Sequence, residues 1–116
     1  MFRGSQTLIT RITALHFIGI AAVFIIGCKP IEAITFTAKG CCPSCETSIL
    51  ESLQIDAVKS AQWNQHHEKI TLRYYSNEIS TDQLQRTVAM AGYDTDLFMA
   101  PDSVYLALPK CCHYRD

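Results

Sequence analysis

The chain reads as an α+β domain with the element order β-α-β-β-α-β. Three observations lead there. Strand-type apolar runs occupy residues 34–38, 58–63 and 69–74, apolar side chains recur at helical spacing over 45–53 and 84–91, and turn or cap residues separate the runs.

In the first strand Ile34, Phe36 and Ala38 alternate with Thr35 and Thr37, which gives one buried face, and the run begins at Ile31. Gly40 marks a turn. Pro43 suits the start of a helix, where its missing N–H costs nothing. Cys45, Ile49 and Leu53 follow at i, i+4 and i+8 with Leu50 beside them, so a helix is expected over 44–54. Val58, Ala61 and Trp63 line the second strand, and Ile70, Leu72 and Tyr74 the third. The polar stretch Asn64 to Glu68 joins them as a hairpin loop. Ser80 and Gln83 form a capping box ahead of Leu84, Val88 and Ala91, and Gly92 supplies the stop. Asp94 to Phe98 is expected to be a last, short strand. Residues 99–116 extend beyond this unit, with a single helical turn between Pro101 and Pro109, capped by Asp102 or Ser103.

The 116 residues suffice for one domain. Arg3 and Arg11 precede an uncharged, mostly apolar run at 12–27. Sixteen residues are short for a membrane span, which needs roughly 20, and suit an export signal. The run ends Gly27-Cys28, which resembles a bacterial lipoprotein signal, cut before a cysteine that then carries lipid. An uncleaved N-terminal anchor is the alternative. Either places the rest of the chain at a membrane, outside the cytoplasm, in a bacterial cell envelope and facing the periplasm or exterior. The expected organisation is a signal over 1–27, a short tether over 28–30, a domain over 31–98 and an extension over 99–116. From Cys28 onward eight Lys and Arg stand against 11 Asp and Glu, a charge of −3. No basic run is present, so nucleic acid is not an expected partner.

Six cysteines in an exported chain would ordinarily suggest disulfides. The spacing argues for ligands instead: Cys41-Cys42 and Cys111-Cys112 are adjacent pairs, which make strained disulfides. Cys42-Pro43-Ser44-Cys45 is a C-x-x-C pair between a strand and a helix. Unpaired N–H groups and the helix dipole favour thiolates there, and thiolates select soft ions. Two cysteines can hold Cu(I) or Hg(II) nearly linearly, whereas Zn(II) needs four ligands. Cys41 is either a third ligand or a loop residue. The closing Cys111-Cys112-His113 is either a further ligand set, which would admit Zn(II), or a packed tail. His66 and His67 read as polar hairpin residues, although the topology brings their loop to the same pole as Cys42 and Tyr93. Trp63 reads as core. His16 falls in the leader and carries no assignable role.

With these elements placed, the chain resembles the heavy-metal-associated domain family: copper chaperones, the metal-binding repeats of copper-transporting ATPases, and the periplasmic mercury-binding protein. The resemblance covers residues 31–98. It rests on Phe36, Ala38 and Gly40 approaching the pair, on Cys42 and Cys45, on Ile55-Asp56-Ala57-Val58, and on Ala91-Gly92-Tyr93. It implies a ferredoxin-like sandwich, with an antiparallel sheet carrying both helices on one face. It also implies a metal site at Cys42 and Cys45, and an aromatic, Tyr93, packed near the metal loop. The family motif is G-M-T-C-x-x-C. Here one residue fewer separates Gly40 from Cys42, and Cys41 stands where a buried Met would lie. The Cys-Cys-His tail is a second departure.

The expected function is capture of a soft metal ion and its transfer, by thiolate ligand exchange, to a metal transporter or efflux protein. No bond chemistry is required, so the protein is not expected to be an enzyme. Two other readings stay open: a thiol–disulfide oxidoreductase using the same pair, and a disulfide-stapled structural lipoprotein.

Overall fold

The structure, a computed structural model, describes residues 28–115. The leader expected over 1–27 lies outside the described residues. Three strands, β1 (Ile31–Thr37), β2 (Val58–Asn64) and β3 (Lys69–Tyr75), alternate with the helices α1 (Pro43–Ser52) and α2 (Thr81–Met90). A short helix α3 (Asp102–Leu106) and a 3-10 turn (Lys110–Cys112) follow. Among the described residues no helix is long and apolar enough to cross a membrane.

The strands form one antiparallel sheet in the order β1-β3-β2. Phe36 opposes Ile70 and Ile34 opposes Leu72 across β1 and β3, and Trp63 opposes Ile70 across β2 and β3. The inward set of β3 is Ile70, Leu72 and Tyr74, as the alternation requires. In β2 the register slips between Val58 and Ser60. This extra residue lets Val58 and Ala61 share a face despite their odd spacing.

Each helix has its own local cause. Pro43 occupies the first turn of α1 after Cys42 in extended backbone. The Ser80 hydroxyl accepts from the Gln83 N–H at 3.2 Å, and the Gln83 Oε1 accepts from the Ser80 N–H at 2.9 Å. The expected capping box thus starts α2. Gly92 takes φ +113° and closes α2. Its N–H donates to the Ala89 carbonyl at 3.0 Å, and the Tyr93 N–H reaches back to Val88 at 3.4 Å.

The core lies between the sheet and the helices. Phe36, Trp63, Ile70 and Leu72 meet Cys45, Ile49 and Leu53 of α1 and Leu84 and Val88 of α2, with Tyr93 and Cys112 closing one end. Burying each large apolar side chain is worth about 1.5–3 kcal/mol. Trp63 is core, and its Nε1–H donates to the Ala38 carbonyl at 3.0 Å. It also accounts for Gly40: a Cβ there would lie 2.8 Å from the indole.

Two expectations are corrected. The last strand over Asp94–Phe98 is only one bridge, Thr95 to Ala38 at the edge of β1. The Asp96 carboxylate accepts the Thr37 N–H at 2.8 Å, where a fourth strand would offer a carbonyl. Thr95 meanwhile turns back onto Phe98, its N–H donating to the Phe98 carbonyl at 2.8 Å. The second correction concerns α3. Pro101 occupies its N-cap position and no side chain caps it. Asp102 instead accepts from Arg115.

Candidate metal centre

The alternation of strands and helices brings three connections to one pole: the loop from β1 to α1, the hairpin from β2 to β3, and the chain after α2. Hydrogen bonds tie them together. The Ala38 N–H donates to the Glu68 carbonyl and the Lys39 N–H to the Asp94 carbonyl, both at 2.9 Å. The Glu68 carboxylate accepts from Lys39 Nζ at 3.1 Å and from the Gly40 N–H at 3.3 Å. Gln65 Nε2 donates to the Cys41 carbonyl at 3.3 Å. Glu68 sits at φ +52°, which turns the hairpin back onto the metal loop.

The loop presents Cys42 half-buried and Cys45 buried, with their Sγ atoms 3.3 Å apart. Cys42 precedes α1, so the unpaired N–H groups of the first turn lie next to its sulfur. Burial alone would raise the Cys42 thiol. Hydrogen bonds from the Cys45 thiol and N–H, and from Cys111 and Cys112, outweigh it and bring Cys42 down to about 6. Cys41 goes the other way, pushed up to about 11 by burial of its sulfur and by the neighbouring Cys45 and Cys42. Cys41 does not fill the core as a methionine would. It is exposed, and its Sγ donates to the Cys111 carbonyl at 2.8 Å.

The tail returns to this pole. Cys112 is buried, and its sulfur lies 3.5 Å from that of Cys42 and 4.0 Å from that of Cys111. Burial, and then its Cys45 and Cys42 neighbours, hold the Cys112 thiol well above its ordinary value. Two groups of three sulfurs result, Cys41-Cys42-Cys45 and Cys42-Cys111-Cys112, each with all its sulfurs within 4.8 Å and with Cys42 in both.

His113 does not join them. Its Nε2 lies 3.1 Å from the Leu108 carbonyl, and its ring packs on Tyr105 at 4.9 Å. The Cys-Cys-His set is thus reduced to its two cysteines. His66 and His67 are exposed and pack edge-on against each other at 5.0 Å. Among the described residues no histidine enters either sulfur group. The hairpin contributes Gln65 and Glu68, which sequence reasoning missed because neither is a ligand type in a ligand pattern.

Tyr93 packs at this pole, in the core cluster with Cys45 and Cys112. It is fully buried, stacked on Tyr114 at 6.1 Å, and its hydroxyl has no hydrogen-bond partner among the described residues. Burial pushes the phenol well above its ordinary value.

No family model and no curated protein sequence matches the chain. Solved structures do. The N-terminal domain of a potential copper-translocating P-type ATPase from Bacillus subtilis, solved in its Cu(I)-loaded state, is 29% identical with a TM-score of 0.53, over 57% of this chain and 85% of that one. The CopZ metallochaperone is 23% identical with a TM-score of 0.53, over 55% and 98%. Oxidized MerP from Ralstonia metallidurans CH34 is 16% identical with a TM-score of 0.54, over 58% and 96%. The last two likenesses concern the fold. The three-stranded sheet with its two helices gives this chain the fold of these solved domains, with a C-x-x-C pair at the start of the first helix and a cysteine-bearing tail.

Proposed function

We propose that the chain is a membrane-tethered, extracytoplasmic binding protein for a soft metal ion, Cu(I) or Hg(II). It takes up the ion through Cys42 and Cys45 and passes it to a transporter or efflux protein. The observation that carries this reading is the pair itself: two sulfurs 3.3 Å apart at a helix start, one of them half-buried and the other buried. The similar Bacillus subtilis domain, solved with Cu(I), supports the choice of ion. Transfer makes and breaks metal–sulfur bonds only, so the protein is not an enzyme.

The tether would be lipid on Cys28. Cys28 is exposed and lies just before β1, beside Lys29, which pairs with Glu78 at 2.6 Å. The seven residues of β1 then lead about 23 Å away, at about 3.3 Å per residue, before the metal loop begins. The metal pole therefore faces away from the membrane, toward the periplasm or exterior.

Competition against a Cu(I) chelator tests the ligands. Cys42→Ser and Cys45→Ser should each lose affinity by orders of magnitude while keeping the circular dichroism of the folded domain. Unchanged competition would return the pair to thiol–disulfide exchange. A fluorophore on Cys42 in vesicle-bound protein tests the orientation. Strong quenching by headgroup quenchers would overturn it.

A further inference from the structure

The tail is pinned to the domain by groups that bind no ion. The Arg115 guanidinium grips Asp94 with two hydrogen bonds, and donates to Asp102 at 3.0 Å and to the Ala100 carbonyl at 2.8 Å. The Tyr114 hydroxyl donates to the Gly92 carbonyl and accepts from the Asp94 N–H, both at 2.8 Å. Leu108 lies against Gly92, where a Cβ would meet its Cδ1 at 2.9 Å. Three attachments flank or precede Cys111 and Cys112, so their place over the metal loop is built and not incidental.

The sulfur spacings say what such a place can hold. Metal–thiolate bonds of about 2.3 Å put sulfurs about 4.6 Å apart across a linear site and about 3.8 Å apart in a tetrahedral one. The observed spacings are 3.3 Å for Cys42–Cys45, 3.5 Å for Cys42–Cys112 and 4.0 Å for Cys111–Cys112. They bracket the tetrahedral value and fall short of the linear one.

We propose that Cys111 and Cys112 join Cys42 in a three-sulfur set, supplied wholly by this chain, that takes a tetrahedral thiophilic ion such as Zn(II) with solvent in the fourth position. The inference rests on the reading of Cys42 as a ligand and extends the range of ions beyond the two-coordinate ones. Each ligand thiol that is still protonated releases its proton to solvent as its sulfur binds, so uptake of Zn(II) acidifies an unbuffered solution.

The test uses the reduced chain, with Co(II) as a visible probe for Zn(II), and Hg(II) as the ion that two sulfurs satisfy. The full chain should bind Co(II) with the intense visible absorption of a tetrahedral thiolate site. Cys111→Ser, at an exposed position, should weaken Zn(II) at least tenfold and leave Hg(II) within twofold. Cys112→Ala should do the same, provided its circular dichroism shows the domain intact. A weak, octahedral-type Co(II) spectrum in the full chain would overturn the proposal, as would equal Zn(II) affinities of the full chain and Cys111→Ser. Loss of Hg(II) binding in the full chain would instead defeat the reading of the Cys42–Cys45 pair.

Discussion

Arg115 and Asp94 meet as fork and carboxylate, with Nη2 2.6 Å from Oδ1 and Nε 3.1 Å from Oδ2. Both side chains are about one-fifth exposed, at 21% and 18%. The pair joins the end of the tail to the corner after α2. Arg115→Ala should destabilise the domain by about 1.5–3 kcal/mol, the usual range for hydrogen bonds to charged groups. Arg115→Lys should recover little, because an ammonium cannot reproduce the planar fork. Urea unfolding followed by Trp63 fluorescence measures both, and wild-type stability in Arg115→Ala would show the latch to be idle.

The same pair sets a pH dependence. Burial would raise the Asp94 carboxyl, but the Arg115 hydrogen bonds, the Ala100 N–H and the guanidinium charge outweigh it and hold it below its ordinary value of 3.8. A carboxyl depressed by folding contributes stability above its unfolded value, and that contribution is lost as pH falls through the folded one. Unfolding free energy should therefore fall with acid from just under pH 4, and Asp94→Asn should flatten part of that slope. Parallel acid limbs in wild type and Asp94→Asn would contradict the assignment.

Cys42 should be the first thiol to react in the reduced, metal-free protein. Its thiolate is half-formed near pH 6, whereas Cys112 is buried and held in its protonated form. Brief iodoacetamide treatment at pH 7, followed by peptide mass spectrometry, should find label on Cys42 well ahead of Cys112. A reversed order would mean that the hydrogen bonds around Cys42 do not persist in solution.

Gly40→Ala should strain the metal loop. The added methyl would lie 2.8 Å from Trp63 Cζ2 and 3.1 Å from Cys45 Cβ. Overpacking of this kind costs about 1–3 kcal/mol. Trp63 is the single tryptophan, so its emission reports the displacement directly. An unshifted spectrum with unchanged stability would mean that the loop yields instead.

The sequence made the domain legible where the signal was local. Alternation in β3, the Ser80–Gln83 box, and Gly92 at the end of α2 all stand as expected, because each is decided within a few residues. The fourth strand was misread because Asp96 satisfies β1 with a side chain, and no pattern of apolar residues records that substitution. The tail was legible as chemistry but not as architecture. Cys111 and Cys112 announced themselves as ligand types, yet what seats them is Arg115 on Asp94, a contact across 21 positions that local pattern does not encode. His113 looked like a ligand for the same reason that Cys112 did. Only the path of the chain gives its ring to Leu108 and Tyr105.

The bond from Cys41 Sγ to the Cys111 carbonyl straps the tail to the metal loop. On the proposed reading, a partner that collects an ion from Cys42 would meet this strap beside the sulfur. Hand-over would then have two steps in series, an opening within the chain and an exchange between chains. The first step does not depend on how much acceptor is present. On the proposed reading, delivery should accordingly become saturated as acceptor is added, with a ceiling set by how often the strap lifts, so that the chain would act as a timed store and not as a simple shuttle.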